Sequence, residues 1–283
     1  MKAAEPPKSP YRSRLQKQTS QEVRDQGYAC MSGKALACPT RLQWAWEELK
    51  VSYAHLPPDR HSPDGNRFRR YSQLVALPWC AMFELLPPVW DPRVGEAVTE
   101  YFQDASDNPT DGGQSRKFAA LAPSQQQNPF LAWLIQADLR QLPWATKELH
   151  KPLLVGIHQI KHVAEPGRPA VSSPDCLHQD GEPFTFVHLI ERSANVVGGI
   201  NTIAPTCYKN RQPSDVPPHD ILAQFTLTNF LDSFVVADAR VCHHVSAIDV
   251  MPAPEDATCS LDGNSGWRSV LLIDFTPLVP RIG

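Results

Sequence analysis

The hydrophobic pattern of this chain changes period near residue 150, from helix-like stripes to strand-like alternation. In the first half, Thr40-Arg41-Leu42-Gln43 has the form of a capping box, and Leu42, Trp46 and Leu49 follow at helical spacing. Asp91-Pro92 places an N-cap residue before a proline at the first helical position, with Val94, Val98 and Phe102 on one stripe. Asn128-Pro129 repeats that grammar and leads into Phe130, Leu131, Leu134 and Leu139. Between the first two lies an apolar run from Leu74 to Leu86, broken by Pro78, which predicts extended backbone. The aromatic residues of these stripes fit core packing.

Beyond residue 150, segments 153–160, 184–190, 225–230, 234–243 and 270–275 read as strands separated by loops rich in Pro, Gly, Asp and Ser. No helices of 10–15 residues alternate with them, which argues against a parallel doubly wound sheet. An antiparallel double sheet of jelly-roll type closes such strands naturally. The fold class expected is therefore mostly β with flanking helices (α+β), in one domain spanning 1–283. Residues 1–25 read as a basic, poorly ordered arm, 26–150 as a helical and strand buttress, and 151–283 as the jelly-roll core.

Composition narrows the classes of function. Net charge is −3, from 27 basic and 30 acidic residues, without the basic surplus that nucleic acid demands. No stretch of 18 apolar residues is present, so no membrane-spanning helix is expected, and the N-terminus lacks an apolar signal region. The seven cysteines are odd in number, scattered and free of any C-x-x-C, which fits reduced thiols in a cytoplasm. The 28 prolines are spread through the chain, as rigid turns between many short elements require.

The candidate chemistry starts at Leu177-His178-Gln179-Asp180-Gly181. Extended backbone would point His178 and Asp180 the same way, supplying two thirds of a 2-His-1-carboxylate iron site. A second imidazole comes from His243 or His244. Adjacent residues face opposite sides, so only one of them can reach the metal, and periodicity does not choose. Alternation turns Cys242 away. Arg268 opens the apolar run Ser269 to Phe275 and wants a carboxylate, either that of a ligand or an internal acid such as Asp274. In this order the residues read as a non-haem iron oxygenase with a dicarboxylate co-substrate. Gln159 and Lys161 alternate on an earlier strand and are candidates, with Asn201, for holding the substrate. Gly198-Gly199 reads as a tight turn or a place of close backbone approach. His188 is expected to be a hydrogen-bonded core histidine. No G-x-S-x-G turn is present, which removes a serine hydrolase of that type.

The His-Gln-Asp-Gly block, Phe184 to Ile190, Gly198-Gly199-Ile200-Asn201-Thr202-Ile203, His243-His244-Val245-Ser246-Ala247-Ile248 and Arg268 to Phe275 resemble the 2-oxoglutarate/iron dioxygenase family that includes bacterial L-isoleucine dioxygenases. Tyr101-Phe102-Gln103 to Asn108, Gly112-Gly113 and Arg116-Lys117-Phe118 are similar to that family's N-terminal half, so the likeness runs from about residue 70 to 276. The resemblance implies a double-stranded β-helix, Fe(II) held by His178, Asp180 and His243, and 2-oxoglutarate as co-substrate with Arg268 on its far carboxylate. Ala247 stands where the family pattern has proline. Relatives of this kind hydroxylate free amino acids, and another branch is linked to biofilm formation. The expected partner is a small amino acid-like substrate. Two alternatives are a cupin-like metal enzyme without 2-oxoglutarate and a non-catalytic biofilm or stress-related binding protein on the same barrel.

Overall fold

The computed structural model describes residues 14–62, 64–251 and 265–278. In chain order its elements are α1 (Arg14–Gln26), β1 (Tyr28–Met31), α2 (Gly33–Leu36), α3 (Gln43–Ser52), β2 (Arg67–Leu77), β3 (Met82–Leu85), β4 (Val89–Asp91), β5 (Glu96–Phe102), β6 (Ser115–Ala119), α4 (Pro123–Gln126) and α5 (Pro129–Gln141). There follow β7 (Leu153–Ala164), β8 (Phe184–Arg192), β9 (Val196–Gly198), β10 (Ile200–Pro205), β11 (Ala223–Thr226), β12 (Ser233–Val236), β13 (Val241–Val245), β14 (Ile248–Val250) and β15 (Gly266–Pro277).

A seven-stranded sheet in the order β1-β12-β8-β15-β7-β2-β3 faces two smaller ones, β11-β10-β13 and β14-β9. Among the described residues the strand pairs of these three sheets are antiparallel. This is the jelly roll that the strand pattern predicts. The N-terminal segment does more than buttress it, because β1, β2 and β3 belong to the large sheet. A separate hairpin sheet, β4-β5-β6, completes the set.

Strand alternation splits the large sheet into two chemically different faces. Val155 and Ile157 on β7, Phe186 on β8, and Leu271, Ile273 and Phe275 on β15 pack outward against Val23, Ala45, Leu49, Phe130, Leu134 and Ile135 of the helices. Fully burying a Phe side chain contributes about 1.5–3 kcal/mol, so this outer seam anchors the fold. The intervening positions, including His158, Ile160 and His162 on β7, turn into the space between the sheets.

The outer seam also carries a sealed polar network. His188 Nε2 lies 2.9 Å from Asp138 Oδ2 of α5 and its Nδ1 lies 2.7 Å from Ser233 Oγ. All three residues are fully buried. His188 is thus the core histidine expected, and it faces away from the metal motif.

Five local expectations need correction. Asp91-Pro92 starts no helix: Asp91 Oδ1 accepts from the Arg93 N–H in a turn, Gly95 takes φ 69°, and β4 and β5 pair as a hairpin. The proline grammar was real, but the pairing of Val89 with Val98 outweighed helix propensity. The single strand expected over 234–243 is two strands, β12 and β13, divided by the 237–240 turn. The arm expected over 1–25 includes α1, whose Val23 is buried in the core; residues 1–13 lie outside the described residues. At Thr40 the capping-box geometry gives way to a short 3-10 turn, with α3 following as predicted. Asn128 caps α5 as read, accepting from the Phe130 and Leu131 N–H groups. The segment 225–230 is strand only to Thr226.

Candidate metal centre

His178 lies at an isolated bridge to β13, where its N–H and C=O pair with the C=O and N–H of His243, at 2.9 Å each. The pairing sets the two imidazoles side by side, with ring centroids 4.3 Å apart. Asp180 follows in the loop and turns its carboxylate between them. Its Oδ1 is 3.7 Å from His178 Nε2 and its Oδ2 is 3.6 Å from His243 Nε2. The ligand atoms of these three residues all lie within 4.8 Å of one another. His244 points to the other side of β13, where its Nε2 meets Asp175 Oδ1 at 3.1 Å. The choice that periodicity left open falls on His243.

The donor set fits a ferrous ion. Two ligands at right angles on a metal, each about 2.1 Å from it, stand about 3 Å apart, so these spacings need only a small contraction. His178 Nδ1 is 2.9 Å from Cys176 O, which fixes its proton on that nitrogen and leaves Nε2 bare toward Asp180. Asp180 Oδ2 is buried with no hydrogen-bond partner, an arrangement that a cation would relieve. Burial, and next the adjacent His178, push His243 down to about 4, so it is neutral at physiological pH and able to donate its lone pair. Burial works against the Asp180 carboxylate, yet the imidazoles of His243 and His178 hold it below its ordinary range. Cys242 is turned away, its Sγ 3.2 Å from Pro205 O, so no thiolate joins the set.

The loop is held from two sides. Gln103 Nε2 donates to Asp180 O at 3.0 Å, and the Gly181 N–H donates to Asp238 Oδ2 at 2.6 Å. Gly181 has φ 89°, and a Cβ there would meet Asp107 Oδ2 at 2.9 Å, so this turn needs glycine on both counts. Arg268, on β15, is 3% exposed, and its Nε and Nη2 have no hydrogen-bond partner. Asp274, the internal acid it was weighed against, is committed to His158 and to the Gly156 N–H instead. Burial, and next the neighbouring Arg192, push the Arg268 guanidinium down to about 10, as expected for a cation still lacking an anion. Gly199 lets the backbone lie against the Arg268 stem, since a Cβ there would sit 3.3 Å from Arg268 Cδ. The triad and Arg268 line one cavity.

The model of the 2OG-Fe dioxygenase family matches residues 50–274, most of the chain. The chain belongs to the 2OG-Fe dioxygenase family. Enzymes of this 2OG-Fe family use Fe(II) and 2-oxoglutarate, the pair that the triad and Arg268 suit.

Two relatives in sequence are an L-isoleucine-4-hydroxylase of Bacillus thuringiensis and a 3(1)-hydroxy-L-isoleucine 4-dioxygenase of Pantoea ananatis. The first is 30% identical over 179 residues, covering 62% of this chain and 65% of that protein. The second is 32% identical over 189 residues, covering 63% and 71%. The chain thus spans a little under two thirds of the first relative's length. In structure, IDO from Bacillus thuringiensis superposes with a TM-score of 0.69 at 22% identity, over 95% of this chain and 99% of that one. A bsmA homolog from Methylobium petroleophilum PM1 gives 0.70 at 19% identity, over 93% of each chain. Both likenesses establish the jelly-roll fold.

Within this 2OG-Fe dioxygenase fold the three substrate candidates separate. Asn201, on β10, is buried and lines the cavity with the triad. Gln159 and Lys161 do not, because alternation along β7 sends them to the helix side. Gln159 Nε2 donates to Ser52 Oγ of α3 at 2.9 Å, and Lys161 Nζ sits 5.5 Å from the Trp267 ring. Their strand was read well and their face was not. The inward positions belong to His158 and His162, which the sequence reading did not bring out. It also missed Arg67 and Arg69 on β2 and Tyr101, Gln103 and Arg116 on the hairpin. The signal for β2 was present: Arg67, Arg69 and Tyr71 alternate in a run otherwise fit for a strand. The hairpin residues were hidden by reading 91–102 as a helix.

Proposed function

We propose that this protein is an Fe(II)/2-oxoglutarate-dependent dioxygenase that hydroxylates a free amino acid or a similar small molecule. The observation that carries the reading is the convergence of His178, Asp180 and His243 in one cavity with an arginine that has no counter-ion among the described residues. Bound together, ferrous iron and 2-oxoglutarate supply oxygen activation coupled to decarboxylation of the co-substrate to succinate. His178, Asp180 and His243 would hold the metal on one face and leave the remaining positions open. Arg268 would grip the distal carboxylate of 2-oxoglutarate with both fork nitrogens. Val270, Leu272 and Phe234 wall the cavity with apolar surface and keep bulk water from the reacting atoms. Asn201 contributes a polar group to the same wall.

The amino acid class is supported by the two curated relatives, whose names give isoleucine and a hydroxyisoleucine as what they act on. A cytoplasmic setting belongs to the same proposal. The test is anaerobic titration of the full chain with Fe(II) and 2-oxoglutarate, followed by succinate assays with free L-isoleucine, L-leucine and L-valine. The weak visible charge-transfer band of the ternary complex is expected, and His178→Ala should abolish it. A wild-type protein that never shows the band with both ligands present would overturn the reading.

A further inference from the structure

Four arginines line the cavity, and among the described residues only two have an acid of their own. Arg67 Nε is 2.6 Å from Asp59 Oδ2, and Arg116 Nη1 is 3.4 Å from Asp111 Oδ2. Arg268 is left for the co-substrate. Arg69 is the fourth, 8% exposed, with no ion pair to any described residue and with Nε unpartnered. Its charged neighbours include Asp59, Arg67 and Arg116, and that of Arg268 is Arg192, with His162 between the two groups. Arg69 on β2 pairs with Ile160 and Arg268 on β15 with His162, so they stand two strand spacings and two residues apart, roughly 12 Å at the backbone. A carboxylate seated on Arg268 alone leaves Arg69 without an acid among the described residues.

Arg69 is also held rigidly. Its Nη2 donates to His158 Nδ1 at 2.5 Å, which requires the imidazole proton on Nε2, and that N–H donates to Asp274 Oδ2 at 2.9 Å. Tyr71 stacks on the imidazole with centroids 4.2 Å apart, and the Phe118 ring lies 4.0 Å from Arg69 Cζ. Arg116 shares these aromatic neighbours, its Cζ 5.3 Å from the Tyr101 ring. Its Nη2 donates to Gln103 Oε1 at 2.6 Å, and the other end of that amide donates to Asp180 O. Gln103 thus fixes Arg116 relative to the metal motif. Beside them Tyr101 OH donates to Glu182 Oε1 at 3.3 Å, and the buried Glu182 Oε2 has no partner.

We infer that Arg69, backed by Arg116, binds the carboxylate of the substrate, and that Glu182 binds its amino group. Arg69 and Glu182 then select a zwitterion and set which carbon faces the metal. This assignment rests on the amino acid hydroxylase reading.

The test uses the full chain loaded with Fe(II) and 2-oxoglutarate, and the aliphatic L-amino acid that best drives succinate formation. Its carboxamide and its deaminated acid serve as probes. Arg69→Gln should raise KM for the amino acid by about thirty-fold or more, the scale of a lost charge-assisted pair, and leave KM for the carboxamide unchanged. Arg69→Lys should recover part of that loss. Glu182→Gln should weaken the amino acid and leave the deaminated acid unaffected. If Arg69→Gln shifts acid and carboxamide equally, or if wild type does not prefer the acid, the assignment fails. It also fails if the charge-transfer band persists but no amino acid is turned over. Absence of the band in wild type would instead overturn the reading beneath it.

Discussion

His178 and His243 exchange both backbone hydrogen bonds, each N–H reaching the other's carbonyl at 2.9 Å. Their backbones thus form a hydrogen-bonded cross-strand pair, so the spacing of the two imidazoles is set by the sheet and not by the loop. Substituting His178, Asp180 or His243 by Ala should abolish stoichiometric iron binding, while His244→Ala should retain it. Iron content after anaerobic reconstitution and desalting checks both; equal loss in His243→Ala and His244→Ala would refute the ligand assignment.

Arg268→Leu separates the co-substrate from the metal. Removing one partner of a buried charged contact costs about 2–5 kcal/mol, or roughly thirty-fold and more in affinity. Fe(II) binding should be unchanged and the 2-oxoglutarate titration shifted by at least that factor. A cupin-like enzyme that needs no 2-oxoglutarate would keep its activity in this variant.

Asp238 is not itself a candidate ligand, yet its Oδ2 fixes the Gly181 N–H one residue beyond Asp180, and its carboxylate lies beside the Asp180 backbone N–H. Loss of such a supporting contact typically lowers metal affinity by about 10–100-fold. Asp238→Ala should weaken iron binding within that range with little change in the far-UV circular dichroism spectrum. Competition against a chromophoric chelator measures it, and wild-type affinity would assign Asp238 another purpose.

His188→Ala would leave the Asp138 carboxylate buried without its partner. Removing one member of a buried pair destabilises by about 3–5 kcal/mol. Urea unfolding should show the loss as a lower midpoint with the slope preserved. A change under about 1 kcal/mol would mean that α5 docks by apolar contact alone.

The sequence made the metal motif and most of the core strands legible because both rest on short-range regularities. Two-residue alternation marked β7, β8 and β15, and the His-Gln-Asp-Gly block marked the site. What it hid depends on long-range pairing. Gln159 and His158 are neighbours on one strand, and only the docking of α3 through Ser52 reveals which of them faces the helices. Asp91-Pro92 carries helix-start grammar in isolation, but Trp90 pairs with Ala97 and the segment becomes a hairpin. Because that hairpin brings Tyr101, Gln103 and Arg116 to the cavity, one misread turn concealed a whole wall of it.

Asp138, His188 and Ser233 reproduce the carboxylate, imidazole and hydroxyl series of a hydrolytic enzyme within hydrogen-bond reach. Here the hydroxyl is shut beneath α5, where no acyl group can arrive. The same three side chains that elsewhere cut bonds serve in this molecule as a rivet between helix and sheet. A hydrolase turns Nδ1 to the acid and Nε2 to the hydroxyl; here the two ring nitrogens are exchanged and the Ser233 hydroxyl donates to Leu231 O.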